Sequence, residues 1–210
     1  MWFVLGCTAL CLCVCLPLFL HYKPLKLTLA LTFKSLGTLC ALVPALIAAV
    51  RLDPVYWFFV VALLLHAMAD FILDIKFEIG MGVFLLGHLF YAVSFLKLFN
   101  LSIAHLILLI LLLGTLGYVF YRHRSIIGKQ LLPFLFYGII LSVMTACGIA
   151  GGATSYSLKG LMIMGGVALF FFSDCLIFLR ILYPNHSAPE WLIMAVYYLA
   201  QLLLGSSCLF

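Results

Sequence analysis

Apolar residues follow one another along this chain in long continuous runs, and short polar segments punctuate them. The interruptions are HYKPLK, RLDP, DIKFE, LFN, YRHRSIIGKQ, AGGATSYS and YPNHSAPE, which leave apolar spans at 2–20, 26–50, 54–74, 79–98, 101–121, 131–150, 158–180 and 189–209. A helix of about 20 apolar residues crosses the hydrocarbon layer of a bilayer, so each run predicts one crossing. The pattern predicts an all-α polytopic membrane helix bundle of about eight transmembrane helices. No linker is long enough to divide it, so residues 1–210 are expected to form a single transmembrane domain. Period-two alternation is missing, which excludes an outer-membrane barrel.

Composition agrees. Of 210 residues, 68% are hydrophobic and only 8% charged, whereas soluble domains carry about 25% charged residues. The first twenty residues lack a basic leading segment and a small-residue cleavage site, so they are read as the first helix and not as a signal peptide. The net charge of +5 forms no nucleic-acid-binding face, because the cations sit in loops. Loops 1, 3, 5 and 7 carry Lys23, Lys26, Lys76, Arg122, Arg124, Lys129 and Arg180, while loops 2, 4 and 6 have or adjoin Arg51, Lys97 and Lys159. The positive-inside rule then places the odd loops in the cytosol and both termini outside. Most of the eight cysteines lie within apolar runs, where Cys behaves as a small hydrophobe, and the alternate spacing of Cys11, Cys13 and Cys15 suits neither a zinc nor a redox motif.

What needs explaining is the polar minority inside these runs. Within LLLHAMADFILD, His66, Asp70 and Asp74 recur at every fourth position, one stripe of a helix. Asp70, Asp174, Lys34, Tyr137 and Tyr197 all fall about 6–12 Å from the cytosolic ends of their helices, with His88 at roughly 14 Å and Gln201 deeper. An ionised group in hydrocarbon costs at least about 2.5–3.5 kcal/mol, so such groups face a bundle interior or a wet cavity. A shared polar chamber open toward the cytosolic leaflet accounts for all of them. Asp74, Lys76 and Glu78 are near enough to a helix end to snorkel, and His66 can serve a neighbouring helix as a hydrogen-bond donor. A short carboxylate at Asp70 or Asp174 reaches poorly back to water, which favours a functional role for that pair.

Two carboxyls on one cavity can divide acid and base work, one protonated as donor and one ionised to activate water. His66, Asp70 and His88 could also be drawn together as zinc ligands, but no second strong ligand pair of the HExxH kind is present, and no metal or other cofactor is expected. Ser173 adjoins Asp174, but adjacent helical positions diverge and no GxSxG elbow occurs, so it reads as a packing or supporting hydroxyl. Phe170, Phe171 and Phe172 read as packing, with some capacity to line a channel for an acyl-like chain.

At these residues the chain resembles a known family. Asp70-x-x-Leu73 followed by Phe77-x-x-Gly80-x-x-x-Phe84-x-x-x-His88-x-x-Tyr91 is similar to the first signature of the YhhN-like lysoplasmalogenases. FFFSDCLI, residues 170–177, resembles the second, Tyr197-Tyr198-x-x-Gln201 the third, and Lys23-Pro24 the Lys-Pro that often precedes the family's second helix. The usual Gly before the first Asp is here Ala69. The resemblance implies a membrane hydrolase that cleaves the vinyl-ether bond of 1-alkenyl lysoglycerophospholipids to a fatty aldehyde and glycerophosphoethanolamine or glycerophosphocholine. It maps the family's two principal acids onto Asp70 and Asp174, with His88, Tyr91, Ser173, Tyr197 and Gln201 as motif neighbours. Lys34 and Tyr137 join them as supporting residues by depth, and Lys23 and Lys26 are candidate phosphate contacts. The expected partners are a lysophospholipid and the bilayer, in a bacterial inner membrane or the endoplasmic reticulum. The rival is a small proton-coupled transporter or channel using Asp70 and Asp174 as a relay.

Overall fold

Every apolar run forms helix in the computed structural model, which describes residues 2–186 and 188–210. Helix α1 is continuous from Trp2 to Tyr22, through Trp2–Ala9, a π-helical stretch Leu10–Cys15, and Leu16–Tyr22. It is followed by α2 (Leu27–Arg51), α3 (Trp57–Ile72), α4 (Phe77–Leu98), α5 (Ile103–Ile127), α6 (Leu131–Ser155), α7 (Leu158–Leu182) and α8 (Glu190–Ser207). No strand occurs among the described residues. Among the described residues, six stretches are long and apolar enough to cross a membrane, with Ile103–Ser155 counted as one. The 18-residue α8 is not among them, because Glu190, Tyr197, Tyr198 and Gln201 lower its hydropathy. The apolar helices are those of a multi-pass membrane protein.

Helix ends differ from the sequence expectation at two of the polar breaks. The segment YRHRSIIGKQ, expected as a loop, is helical through Ile127, and AGGATSYS is helical through Ser155. Arg122 and Arg124 carry high helical propensity, which lets α5 continue past its apolar run. α5 stops at Gly128, whose φ of 59° only glycine adopts without strain. Leu116 of α5 packs against Gly138 of α6, so the chain reverses between them. In YPNHSAPE a short turn spans Pro184–His186, and Ser187 lies outside the described residues.

Packing order matters more than helix ends. α2 packs on α3, α3 on α4, α4 on α6, α6 on α7, α7 on α8, and α8 returns to α2. These six helices close a ring. α1 lies outside it against α2, and α5 lies outside it against α6. Two ends are distinguishable by their contacts. At one, Lys23 bonds Glu190, Lys34 pairs with Asp74, and His123 bonds Tyr183; at the other, Lys159 bonds Tyr56.

Candidate active site

Each ring helix contributes polar side chains to the interior. Lys34 and Thr38 come from α2, His66 and Asp70 from α3, His88 and Tyr91 from α4, Tyr137 from α6, Asp174 from α7, and Tyr197 and Gln201 from α8. The helical repeat explains each pairing: Lys34 with Thr38, His66 with Asp70, and Tyr197 with Gln201 are i, i+4 neighbours on one face.

These groups form one hydrogen-bonded chain. Asp70 Oδ2 accepts from Thr38 Oγ1 at 2.5 Å and from the Tyr197 hydroxyl at 2.9 Å. The Tyr197 oxygen accepts from Gln201 Nε2 at 3.1 Å, and the same amide nitrogen lies 2.9 Å from His66 Nδ1. His66 Nε2 is 3.2 Å from His88 Nδ1, and His88 Nε2 is 2.9 Å from the Tyr137 hydroxyl. Tyr137 donates to Asp174 Oδ2 at 2.7 Å. Tyr91 donates to Gln201 Oε1 at 2.9 Å. With Oδ2 of both aspartates accepting, the contacts admit one placement of hydrogens. Tyr137 spends its proton on Asp174, so His88 donates from Nε2 and accepts at Nδ1. His66 then donates from Nε2 and accepts at Nδ1 from Gln201, whose second amide hydrogen goes to Tyr197. Gln201 thus donates in both directions, and the chain is polarised outward from it to the two carboxylates.

A buried polar network helps specify a fold only if it is complete, since each unmet group costs about 1–3 kcal/mol. Here it is complete: among the described residues, only Thr145 Oγ1 is a buried side-chain polar atom without a partner. Aromatic rings wall it in. Phe170 lies 5.2 Å from His66 and 5.0 Å from His88 between ring centroids, and Phe84 lies 5.1 Å from His66. Gly87 makes room for this arrangement: a Cβ there would stand 2.4 Å from the His66 ring.

Asp70 and Asp174 both line a cavity of about 440 Å³, together with Lys34, Tyr137, Ser173 and Tyr197 and a large apolar surface. Both aspartates are anchored through Oδ2, and among the described residues Oδ1 of each has no protein partner. At the rim, Lys34 Nζ, on a nearly buried residue, pairs with Asp74 Oδ2 at 2.6 Å, and Lys23 bonds Glu190 and approaches Asp74 at 3.8 Å. Burial alone would raise the Asp74 carboxyl, but Lys34 and Lys23 outweigh it and hold the group below its ordinary value.

The structure therefore brings together Asp70, Asp174, Lys34, His88, Tyr91, Tyr137, Tyr197 and Gln201. Tyr91 supports the network and does not line the cavity. Ser173 lines it but bonds the backbone oxygen of Ile193, tying α7 to α8. Lys26 is exposed at the start of α2 and stands apart from the rim cluster, while Lys23 already has two acidic neighbours. His66, Asp70 and His88 do not converge as ligands: both His66 nitrogens face His88 and Gln201, while Asp70 faces Thr38 and Tyr197. One member of the network, Thr38, was not singled out from sequence, and its i, i+4 relation to Lys34 was the available signal. His66, expected to hydrogen-bond a neighbouring helix, contacts His88 and Gln201 on two of them.

A family model, that of the YhhN family, matches residues 29–208. Neither the curated proteins nor the solved structures compared with the chain gave a match.

Proposed function

Because the chain belongs to the YhhN family, we propose that it is a lysoplasmalogenase, an ether-bond hydrolase that converts a 1-alkenyl lysoglycerophospholipid and water to a fatty aldehyde and a glycerophosphodiester. One observation carries this reading: two carboxyls line a single, mostly apolar cavity, each fixed by a tyrosine through Oδ2 with Oδ1 left unpartnered. In this reading the eight helices α1 to α8 each cross the bilayer, and the end holding Lys23, Lys34 and Asp74 faces the cytosol.

The chemistry divides between the two acids. One carboxyl delivers its proton to the alkenyl carbon farther from oxygen, and the π electrons leave an oxocarbenium ion. Water attacks the cationic carbon and gives a proton to the second carboxylate, forming a hemiacetal. The hemiacetal hydroxyl then returns a proton to the first carboxylate as the carbon–oxygen bond to glycerol breaks, and the second carboxyl protonates the departing alkoxide. Both acids end as they began, and one water is consumed. Anchoring through Oδ2 keeps the free Oδ1 atoms aimed, and the ionised partner stabilises the cation in an apolar cavity that restricts water. Lys34 is placed to meet the lipid phosphate by exchanging it for Asp74. Thr38, Tyr197, Tyr137, His88, His66 and Gln201 position the acids.

A proton relay between Asp70 and Asp174, the transporter reading, fits the network poorly. Gln201 donates on both sides, so a proton cannot pass through it unless the amide turns over. The test is aldehyde release by purified protein given a 1-alkenyl lysophospholipid. Asp70→Asn and Asp174→Asn each lower it by about 10²–10⁴-fold, the range of general acid–base catalysis, with size-exclusion profiles unchanged. Full activity in either folded variant contradicts the mechanism.

A further inference from the structure

α5 stands outside the ring, resting on α6, and what ties it to α7 lies near the α5–α6 turn. There Phe120 stacks on Phe178 with centroids 5.4 Å apart, and His123 Nε2 bonds the Tyr183 hydroxyl at 2.7 Å. Deeper in the bundle the two helices face each other across the cavity, with Leu112, Thr115 and Leu116 on α5 and Phe171 and Cys175 on α7 among its walls. Thr115 and Leu179 line the cavity and are also exposed on the outer surface. The cavity therefore reaches the outside between α5 and α7, within the apolar belt of the protein. The Thr115 hydroxyl is spent on the Leu111 carbonyl at 2.8 Å, so the rim of the gap offers hydrocarbon and little else.

The order of chemistry along the cavity has a direction. The α2 side supplies the cation Lys34, the ring interior supplies Asp70 and Asp174, and the α5–α7 side is apolar. We propose that the gap between α5 and α7 is a lateral opening through which one unbranched hydrocarbon chain leaves the cavity for the bilayer. The occupant is the tail of a single-chain phospholipid, whose sequence of phosphate, glycerol ether and alkyl chain matches the sequence of walls. The identity of its head rests on the lysoplasmalogenase reading; the seat of its tail rests on the geometry of α5 and α7. Because the tail runs out into the membrane, length beyond the opening is not measured by the protein.

The experiment uses the full chain in nanodiscs with a saturated 1-alkyl lysophospholipid bearing a diazirine at mid-chain, which binds but has no alkenyl bond to hydrolyse. Photolysis is expected to label residues 112–116 and 171–175, with labelling suppressed by excess unlabelled alkyl lysophospholipid. Thr115→Trp at the rim is expected to lower that labelling several-fold, while Val93→Trp, at an exposed position on α4, leaves it unchanged. Labelling spread over all lipid-facing helices and insensitive to competitor overturns the proposal, as does Thr115→Trp labelled like wild type. If these adducts form but alkenyl lipid yields no aldehyde, the opening stands and the enzymatic reading falls. If aldehyde is released while adducts map elsewhere, the opening falls and the enzymatic reading stands.

Discussion

Gln201 shows how much a single side chain can decide in this interior. Its amide nitrogen lies 2.9 Å from His66 Nδ1 and 3.1 Å from the Tyr197 oxygen, while its oxygen accepts from Tyr91. That orientation dictates the tautomer of each histidine, so ¹⁵N NMR of ring-labelled protein is expected to show His66 and His88 both protonated at Nε2; an Nδ1–H form of either contradicts the assignment. Gly87 is a second such point. A Cβ there would collide with the His66 ring, and a Gly87→Val variant is expected to lose about 1–3 kcal/mol of stability by overpacking, read from thermal unfolding. Asp74 gives a pH dependence with a definite sign. Its folded carboxyl is held below the ordinary value by Lys34 and Lys23 against the effect of burial, so its contribution is present above the unfolded value of about 4 and lost as pH falls below it. Asp74→Asn is expected to lower the thermal midpoint at pH 7 and to leave it nearly unchanged in strong acid. Three neighbouring residues show where sequence stops informing at this scale. Phe170 is buried against both imidazoles, Phe171 lines the cavity, and Phe172 is 49% exposed. The triplet reads alike in sequence, and the 100° step of the helix sends its members to three different environments.

Among the elements, existence was legible and extent was not. Hydrophobic runs fix where a helix must lie in the bilayer, but nothing in hydropathy says how far it continues beyond, which is why α5 is helical to Ile127 across a segment expected to be loop. The true stop is Gly128, at φ 59°. Gly128→Ala places a side chain in the left-handed region, and a loss of about 1–2 kcal/mol is expected in unfolding experiments. Position along the helix was legible too, since a fixed rise per residue puts Asp70, Asp174, Lys34, Tyr137 and Tyr197 in one layer before any contact is known. Who bonds whom within that layer was not, because partners such as Tyr137 with Asp174 lie on helices whose adjacency is a tertiary fact.

For the whole molecule, the ring of α2, α3, α4, α6, α7 and α8 explains why ionisable residues persist in so apolar a chain: each ring helix contributes to the hydrogen-bonded chain inside it, and α1 and α5 contribute nothing to that chain. Ring closure could not be read from sequence, since α5 is as apolar as its neighbours and yet lies outside. The orientation proposed from the loop cations makes its own prediction. Cysteines introduced at Lys76 and Arg124 are expected to react with an impermeant maleimide from the cytosolic face, and those at Arg51 and Lys97 from the opposite face; the reverse pattern contradicts the orientation. The central claim, that two aspartates hydrolyse a vinyl ether by protonating carbon, is tested most directly by running the reaction in ¹⁸O-enriched D₂O. Mass spectrometry is expected to find one deuterium on the aldehyde carbon next to the carbonyl and no ¹⁸O in the glycerol product, with aldehyde nearly absent from Asp70→Asn and Asp174→Asn. Aldehyde without deuterium at that carbon, or ¹⁸O incorporated into glycerol, would contradict the mechanism.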